Sequence, residues 1–370
     1  MSAAFSIQPM GRFSGQSQPV KRPKLGADLS KGFNTFQKLD DSGDEHLDSL
    51  LKTILAHERK TGRKIDANVV TWRGMMTKIM AALFEQQDGI ASSSKKTTSI
   101  NSSREPRKTI AGPDAARLWK SCNIGVSLCL SPLVPFLVLF TQEYRNSPPP
   151  SPPGYKFETL STLPKIWAET SREYIENREN QVVNNKEQYC SVVRTGIGNT
   201  VLCLGGENTT LTRKPVWDSK PLPGQPINWV ELKTTAEIRS AHDMDNFHRK
   251  LMKFWIQSFL LGVPKIIVGF RTRDGILVDV KEIETHNIPQ TVNSRQGAQW
   301  NADMCVNFAG EFLEFLQNTI NDEGVWRIRR HPASPTIEVF KVEETGHGNI
   351  LSEEFKNWRI KLSLGPSPEP

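Results

Sequence analysis

Apolar positions recur at helical spacing in two N-terminal stretches. Residues 44–60 (DEHLDSLLKTILAHERK) carry Leu47, Leu50, Leu51, Ile54 and Leu55 on one helical face, with Asp44 and Glu45 at the start, where acids suit the helix dipole. A second helix is predicted over residues 70–84 (VTWRGMMTKIMAALF). From Gly154 the pattern is again regular. It gives a helix near residues 171–179, then two strands in QYCSVVRTGIGNTVLCLGGE around a turn at Gly196 to Asn199. INWVELKT reads as a strand, and DNFHRKLMKFWIQSFLLG as an amphipathic helix stopped at Gly262. PKIIVGFRTRDGILVDVKEIET is a hairpin turning at Asp274-Gly275, and FAGEFLEFLQNTI is a further helix. Strands and helices are interleaved, so the expected class is α/β (α+β), a mixed β-sheet core with flanking helices.

Between these blocks the pattern fails. Residues 1–43 are rich in Ser, Gln and Gly and read as a polar tail; Lys21-Arg22-Pro23-Lys24 within it suits a nuclear import signal or a phosphate contact. Residues 85–153 hold SSSKKTTSINSSREPRK, an apolar run and a proline cluster at Pro148 to Pro153, with no consistent period. This stretch is taken as an insert or linker between an N-terminal helical part, 44–84, and a core, 154–363, with 364–370 as a tail. The apolar run, Val126 to Phe140, is 15 residues long and contains Pro132 and Pro135. A membrane-spanning helix needs roughly 20 apolar residues, so no membrane segment is expected.

The net charge is +7, which favours polyanionic partners such as nucleic acid or a basic surface kept for solubility. The cysteines, Cys122, Cys129, Cys190, Cys203 and Cys305, are odd in number and lack zinc spacing. They point to a reducing compartment rather than a disulfide framework.

The sharpest chemical signal is Glu231-Leu232-Lys233 on a predicted strand. Alternate strand residues share a face, so a carboxylate and an ammonium stand side by side. Glu207 ends another strand after VLCLGG. An acid on one strand followed by Glu-x-Lys on the next is the layout of a metal-dependent nuclease. Carboxylates supply hard oxygen ligands for Mg²⁺ or Mn²⁺, and the lysine offsets developing charge. Taken alone, Glu-x-Lys is more often an exposed ion pair worth ~0–1 kcal/mol. Its neighbours sharpen it: Gln257 on the following helix and Glu158 in GYKFE.

GYKFE, the acid after VLCLGG, ELK and the Gln in WIQSFLLGVPKIIVGF resemble, in that order, the signature of the DXO family of RNA 5′-end decapping nucleases. TWRG at 71–74 resembles the family's upstream arginine motif, and QYCSVVRTGIG and NWVELKTTAEI resemble its fungal branch. The resemblance covers residues 27–83 and 154 to about 363. It implies a PD-(D/E)xK-like core, with Glu158, Glu207, Glu231 and the carbonyl of Leu232 holding Mg²⁺ or Mn²⁺. It implies that Lys233 and Gln257 meet the scissile phosphate or the attacking water. Trp72, Arg73 and Gly74 would line the pocket for the RNA 5′ end, with Arg73 on phosphate. Cys190 would lie in the same pocket, although a small buried strand residue reads equally well. Glu45 is a weaker pocket candidate and a better helix N-terminus. The implied activities are release of pyrophosphate from 5′-triphosphate RNA and removal of incomplete, unmethylated or NAD caps. The implied partner is a nuclear XRN-type 5′→3′ exoribonuclease, and the implied location is the nucleus.

Three features depart from the family pattern. Thr209 stands where Glu-x-Asp would place an aspartate, residues 85–146 do not resemble the family, and KRPK runs directly into LGADLSKGF. They keep a second reading open, a non-catalytic partner that stabilises the exoribonuclease. A DNA nuclease sharing the Glu-x-Lys core is a third, disfavoured by TWRG and GYKFE.

Overall fold

The computed structural model describes residues 4–5, 23–37, 47–84, 126–131, 134–140, 152–163, 169–183, 190–207, 229–294, 300–329, 337–343 and 350–364. Helix α1, Asp48–Thr61, buries Leu50, Leu51, Ile54 and Leu55 as its spacing requires, and ends at Gly62, whose positive φ of 66° suits glycine. The single helix expected over 70–84 is instead strand β2, Val69–Trp72, running straight into helix α2, Arg73–Ala81. Val69, Val70 and Thr71 are β-branched and fully buried, and packing between two neighbouring strands overrides the helical period.

Residues Val126–Ser131 and Val134–Phe140 form strands β3 and β4, inside the stretch read from sequence as an insert or linker. β4 pairs in parallel with β2, and β3 pairs antiparallel with β4. The period was absent for a physical reason. Leu137, Val138 and Leu139 are all buried, so a strand covered on both faces reads as a continuous apolar run rather than an alternation. The predicted hairpin appears as β5, Cys190–Ile197, and β6, Thr200–Glu207. With β1, Ala4–Phe5, β10, Gly324–Arg329, and β11, Glu338–Glu343, the larger sheet has the order β1-β5-β6-β2-β4-β3-β10-β11.

The N-terminal stretch is also not only a tail. Ala4–Phe5 pairs in parallel with β5, and Ala27 and Leu29 are buried. Their backbone is stitched to the hairpin at residues 275–277, with Gly26 N–H donating to the Leu277 carbonyl at 2.8 Å and Leu29 N–H to that of Gly275 at 2.9 Å. The basic cluster at residues 21–22 and Glu45 lie outside the described residues.

A second sheet contains β7, Val230–Ala236, β8, Lys265–Arg271, and β9, Leu277–Glu284, with β7 parallel and β9 antiparallel to β8. Helix α3, Pro152–Ser161, covers one face; a Cβ on Gly269 of β8 would lie 2.6 Å from the Phe157 ring, so glycine is what allows that approach. A short helix, α4 (Arg172–Glu176), follows α3. Helix α5, Ala241–Leu260, covers the other face, with the Phe247 and Phe270 rings 5.4 Å apart. Ser240 caps its N-terminus, and Gly262 beyond it has φ 67°. Helices α6, Ile288–Asn293, and α7, Ala302–Thr319, pack in the same apolar cluster. Helix α8, Glu353–Leu364, lies on α1, where Arg359 Nη2 meets Glu58 Oε1 at 2.7 Å with both side chains fully buried.

Candidate active site

Glu231, Lys233 and Thr235 alternate along β7 on the face turned to α5, opposite Ile266, Val268 and Phe270 of β8. Glu231 has no exposed surface. Its carboxylate lies between two cations: Lys233 Nζ is 2.7 Å from Oε1, and Arg73 Nη1 is 3.4 Å from Oε2. Burial, the largest influence, pushes the Glu231 carboxyl up, but Lys233 and Arg73 together outweigh it and hold the group below its ordinary value. The carboxylate is therefore charged at neutral pH despite being buried. Lys233 also sits 5.7 Å above the Phe254 ring of α5.

Arg73 reaches this point because it opens α2 where β2 ends. Its side chain is nearly buried, and its carbonyl accepts from Thr77 Oγ1 at 2.9 Å one turn later. Trp72, the last residue of β2, lies over Gly205 of β6, where an added Cβ would come within 2.6 Å of Cε3. Gly74 follows in the first turn of α2. Cys190 pairs in register with Glu207, at the far end of the β5–β6 ladder from its turn, and is half-buried. The backbone of Glu207 ends β6; its side chain and Thr209 lie outside the described residues. Gln257 is half-buried on the flank of α5 that carries Phe254.

Direct contact thus unites Arg73, Glu231 and Lys233, with Phe254 beside them. The Leu232 side chain belongs to the opposite side. Leu232 packs its side chain into the cluster with Phe157, and Glu158 is half-buried on α3, which covers that face of β7. The Arg73–Glu231 ion pair was not foreseen, since Arg73 was assigned to phosphate. No short-range signal could have found it, because 158 residues separate the two. Phe254 was also missed; its position four residues after Lys250 and three before Gln257 was the available signal.

Among the described residues no three His, Cys, Asp or Glu side chains converge as a metal site. The donors that are described fit a hard divalent ion even so. Glu231 Oε1 is buried, and no described donor meets it in hydrogen-bonding geometry, with only the Lys233 ammonium as an ionic neighbour. Carboxylate and backbone carbonyl oxygens are the ligands that Mg²⁺ and Mn²⁺ select, and Glu158, Glu231 and the Leu232 carbonyl are of that type.

Comparison with known proteins decides the family. Residues 3–122 and 142–356 match the model of the RAI1 like PD-(D/E)XK nuclease family. The chain belongs to this family. It is 60% identical to the decapping nuclease RAI1 of Gibberella zeae over the full length of both chains. Among solved structures, it resembles Candida albicans Rai1 in complex with pU5-Mn²⁺, with a TM-score of 0.72 and 28% identity, covering 90% of this chain and 86% of that one. It also resembles Scheffersomyces stipitis Rai1 in complex with (3′-NADP)⁺ and calcium ion, with a TM-score of 0.71 and 26% identity, covering 90% and 86%. The family match is wider than the motifs suggested. It takes in residues 3–26 and 84–122 and omits only 123–141 between its two parts, so most of the stretch from 85 to 146 is family sequence after all. The RAI1-like fold therefore accounts for the mixed α/β architecture around Glu231.

Proposed function

We propose that this RAI1-like chain is a metal-dependent hydrolase of RNA 5′ ends. On this reading it releases pyrophosphate from 5′-triphosphate RNA and removes incomplete, unmethylated or NAD caps. The observation that carries the reading is the buried, charged Glu231 held between Lys233 and Arg73. Support also comes from relatives named decapping nuclease and from neighbours whose ligands are an RNA 5′-phosphate oligomer with Mn²⁺ and a dinucleotide with calcium.

The residues divide the work by position. Glu231, Glu158, Glu207 and the Leu232 carbonyl would hold Mg²⁺ or Mn²⁺. When bound, the ion polarises the phosphate and lowers the pKa of a water ligand. Arg73 and Lys233 hold phosphate oxygens, and both are fixed in place before substrate arrives, so they neutralise charge without reorganising. Lys233 and Gln257 orient the water for attack, and Trp72, Gly74 and Cys190 shape the pocket for the 5′ end. The same chemistry serves triphosphate and cap, since each presents a phosphorus centre to activated water.

By the family resemblance, the chain works in the nucleus in RNA 5′-end quality control, beside an XRN-type 5′→3′ exoribonuclease. One observation favours a second reading. Thr209 replaces the expected aspartate, and a hydroxyl is a poor divalent-metal ligand. A weakened enzyme would then serve mainly to stabilise the exoribonuclease. The test compares 5′-triphosphate RNA with the same RNA bearing a 5′-hydroxyl, with and without Lys233→Met. Pyrophosphate released from the first alone, and abolished in the variant, supports the hydrolase; a product that survives Lys233→Met contradicts it.

A further inference from the structure

Two rows of side chains face each other between β7 and α5. On α5, Lys250, Phe254 and Gln257 fall at i, i+4 and i+7, one stripe of the helix. On β7, Glu231, Lys233 and Thr235 share a face. The rows are joined at two points: Lys233 Nζ lies 5.7 Å above the Phe254 ring, and Lys250 Nζ donates to Thr235 Oγ1 at 3.2 Å. Seven helical residues rise about 10 Å and four strand residues about 13 Å, so the rows stay in step. Gln257 comes to the Glu231 end and Lys250 to the Thr235 end. Along α5 exposure rises in the same direction, from half-buried Gln257 and Phe254 to exposed Lys250, while Thr235 beneath Lys250 is buried.

Lys250 is a cation without a counter-ion. Among the described residues no carboxylate pairs with it, and the charge that bears on it, Arg271 at the end of β8, is also positive. Arg271 itself keeps a buried Nε with no described hydrogen-bond partner. A lysine held by a neutral hydroxyl, near a second cation and away from any acid, is prepared for an anion. Thr235 lies about 7 Å beyond Lys233 along the strand, the reach of one nucleotide in an extended chain.

We propose that Lys250, positioned by Thr235, binds the first internucleotide phosphate downstream of the phosphate held at Lys233, so that the Thr235 end of the two rows grips the RNA body. This rests on the RNA 5′-end reading and adds to it the direction of the strand, from the Glu231 end outward between β7 and α5. Lys250 is a binding residue here, separate from the bond-breaking centre.

The test is equilibrium binding without added divalent metal, which prevents hydrolysis. The probes are a 5′-monophosphorylated pentauridylate and uridine 5′-monophosphate, which has no internucleotide phosphate. The wild-type chain is expected to bind the pentanucleotide more tightly. Lys250→Ala is expected to weaken that binding about fivefold, the yield of one exposed charge-assisted contact. It should also lower the slope of log affinity against log salt by about 0.7, the value for one single-strand phosphate contact. Lys250→Arg should retain the slope. Unfolding midpoints matched to wild type exclude a folding defect. Tight pentanucleotide binding with affinity and slope unmoved in Lys250→Ala overturns the subsite and leaves the 5′-end reading intact. A wild-type chain that binds the pentanucleotide no more tightly than uridine 5′-monophosphate likewise overturns the subsite.

Discussion

Replacing Arg359 by methionine strips the buried Glu58 carboxylate of its ionic partner. The two side chains have no exposed surface and join α8 to α1 across 301 residues of chain. Glu58 would keep two donors, the Ile65 N–H at 2.8 Å from Oε1 and the Trp358 Nε1–H at 3.0 Å from Oε2, but no compensating charge. Removing one partner of a buried ion pair costs about 3–5 kcal/mol, because the stranded charge retains its full desolvation penalty. At about 1.3 °C per kcal/mol for a chain of this size, the expected fall in Tm is about 4–6 °C. The assay is urea or thermal unfolding of wild type, Arg359→Met and the double variant Glu58→Gln/Arg359→Met. The double variant should be more stable than Arg359→Met, since the amide oxygen can still accept from one of the two donors and no charge is left buried. If Arg359→Met lies within 1 kcal/mol of wild type, or the double variant is the least stable of the three, the account of this latch is wrong.

Gly205→Ala should cost about 1–3 kcal/mol of stability, since the new methyl meets the Trp72 ring; it should also raise KM for 5′-triphosphate RNA by moving a pocket residue. Denaturant unfolding and steady-state kinetics check the two effects, and an unchanged midpoint would show that the ring yields freely. Burial pushes the Cys203 and Cys305 thiols up to about 12, so both stay protonated and inert at pH 8. Native alkylation followed by peptide mapping should leave them unmodified until denaturant is added; rapid labelling of Cys203 in the native state would contradict its burial.

Much of the core was legible because amphipathic periods survive in elements with one wet face. Helix α5 was readable for this reason, whereas the β8–β9 and β5–β6 hairpins, whose strands β8 and β6 are buried, were readable from their turns at Gly275 and Gly198. β2, β3 and β4 were not, because strands in the middle of a sheet lose the alternation that marks a strand. The docking of residues 23–37 was hidden for a different reason. Its anchoring is mostly backbone hydrogen bonding to the hairpin, and that leaves little trace in side-chain pattern. At the site, the shared face of Glu231 and Lys233 was legible from period-2 geometry. The Arg73 contact and the Thr235–Lys250 link depend on how α2 and α5 fold over β7, which no local pattern encodes.

The most direct test of the central claim is pyrophosphate release from 5′-triphosphate RNA by the purified chain with Mg²⁺ or Mn²⁺, beside Glu231→Ala and Thr209→Asp. The account predicts release that Glu231→Ala abolishes, because no other described carboxylate lies buried between two cations. Thr209→Asp should raise the rate by restoring an oxygen ligand. Release that persists in Glu231→Ala, or silence in both wild type and Thr209→Asp, would contradict it.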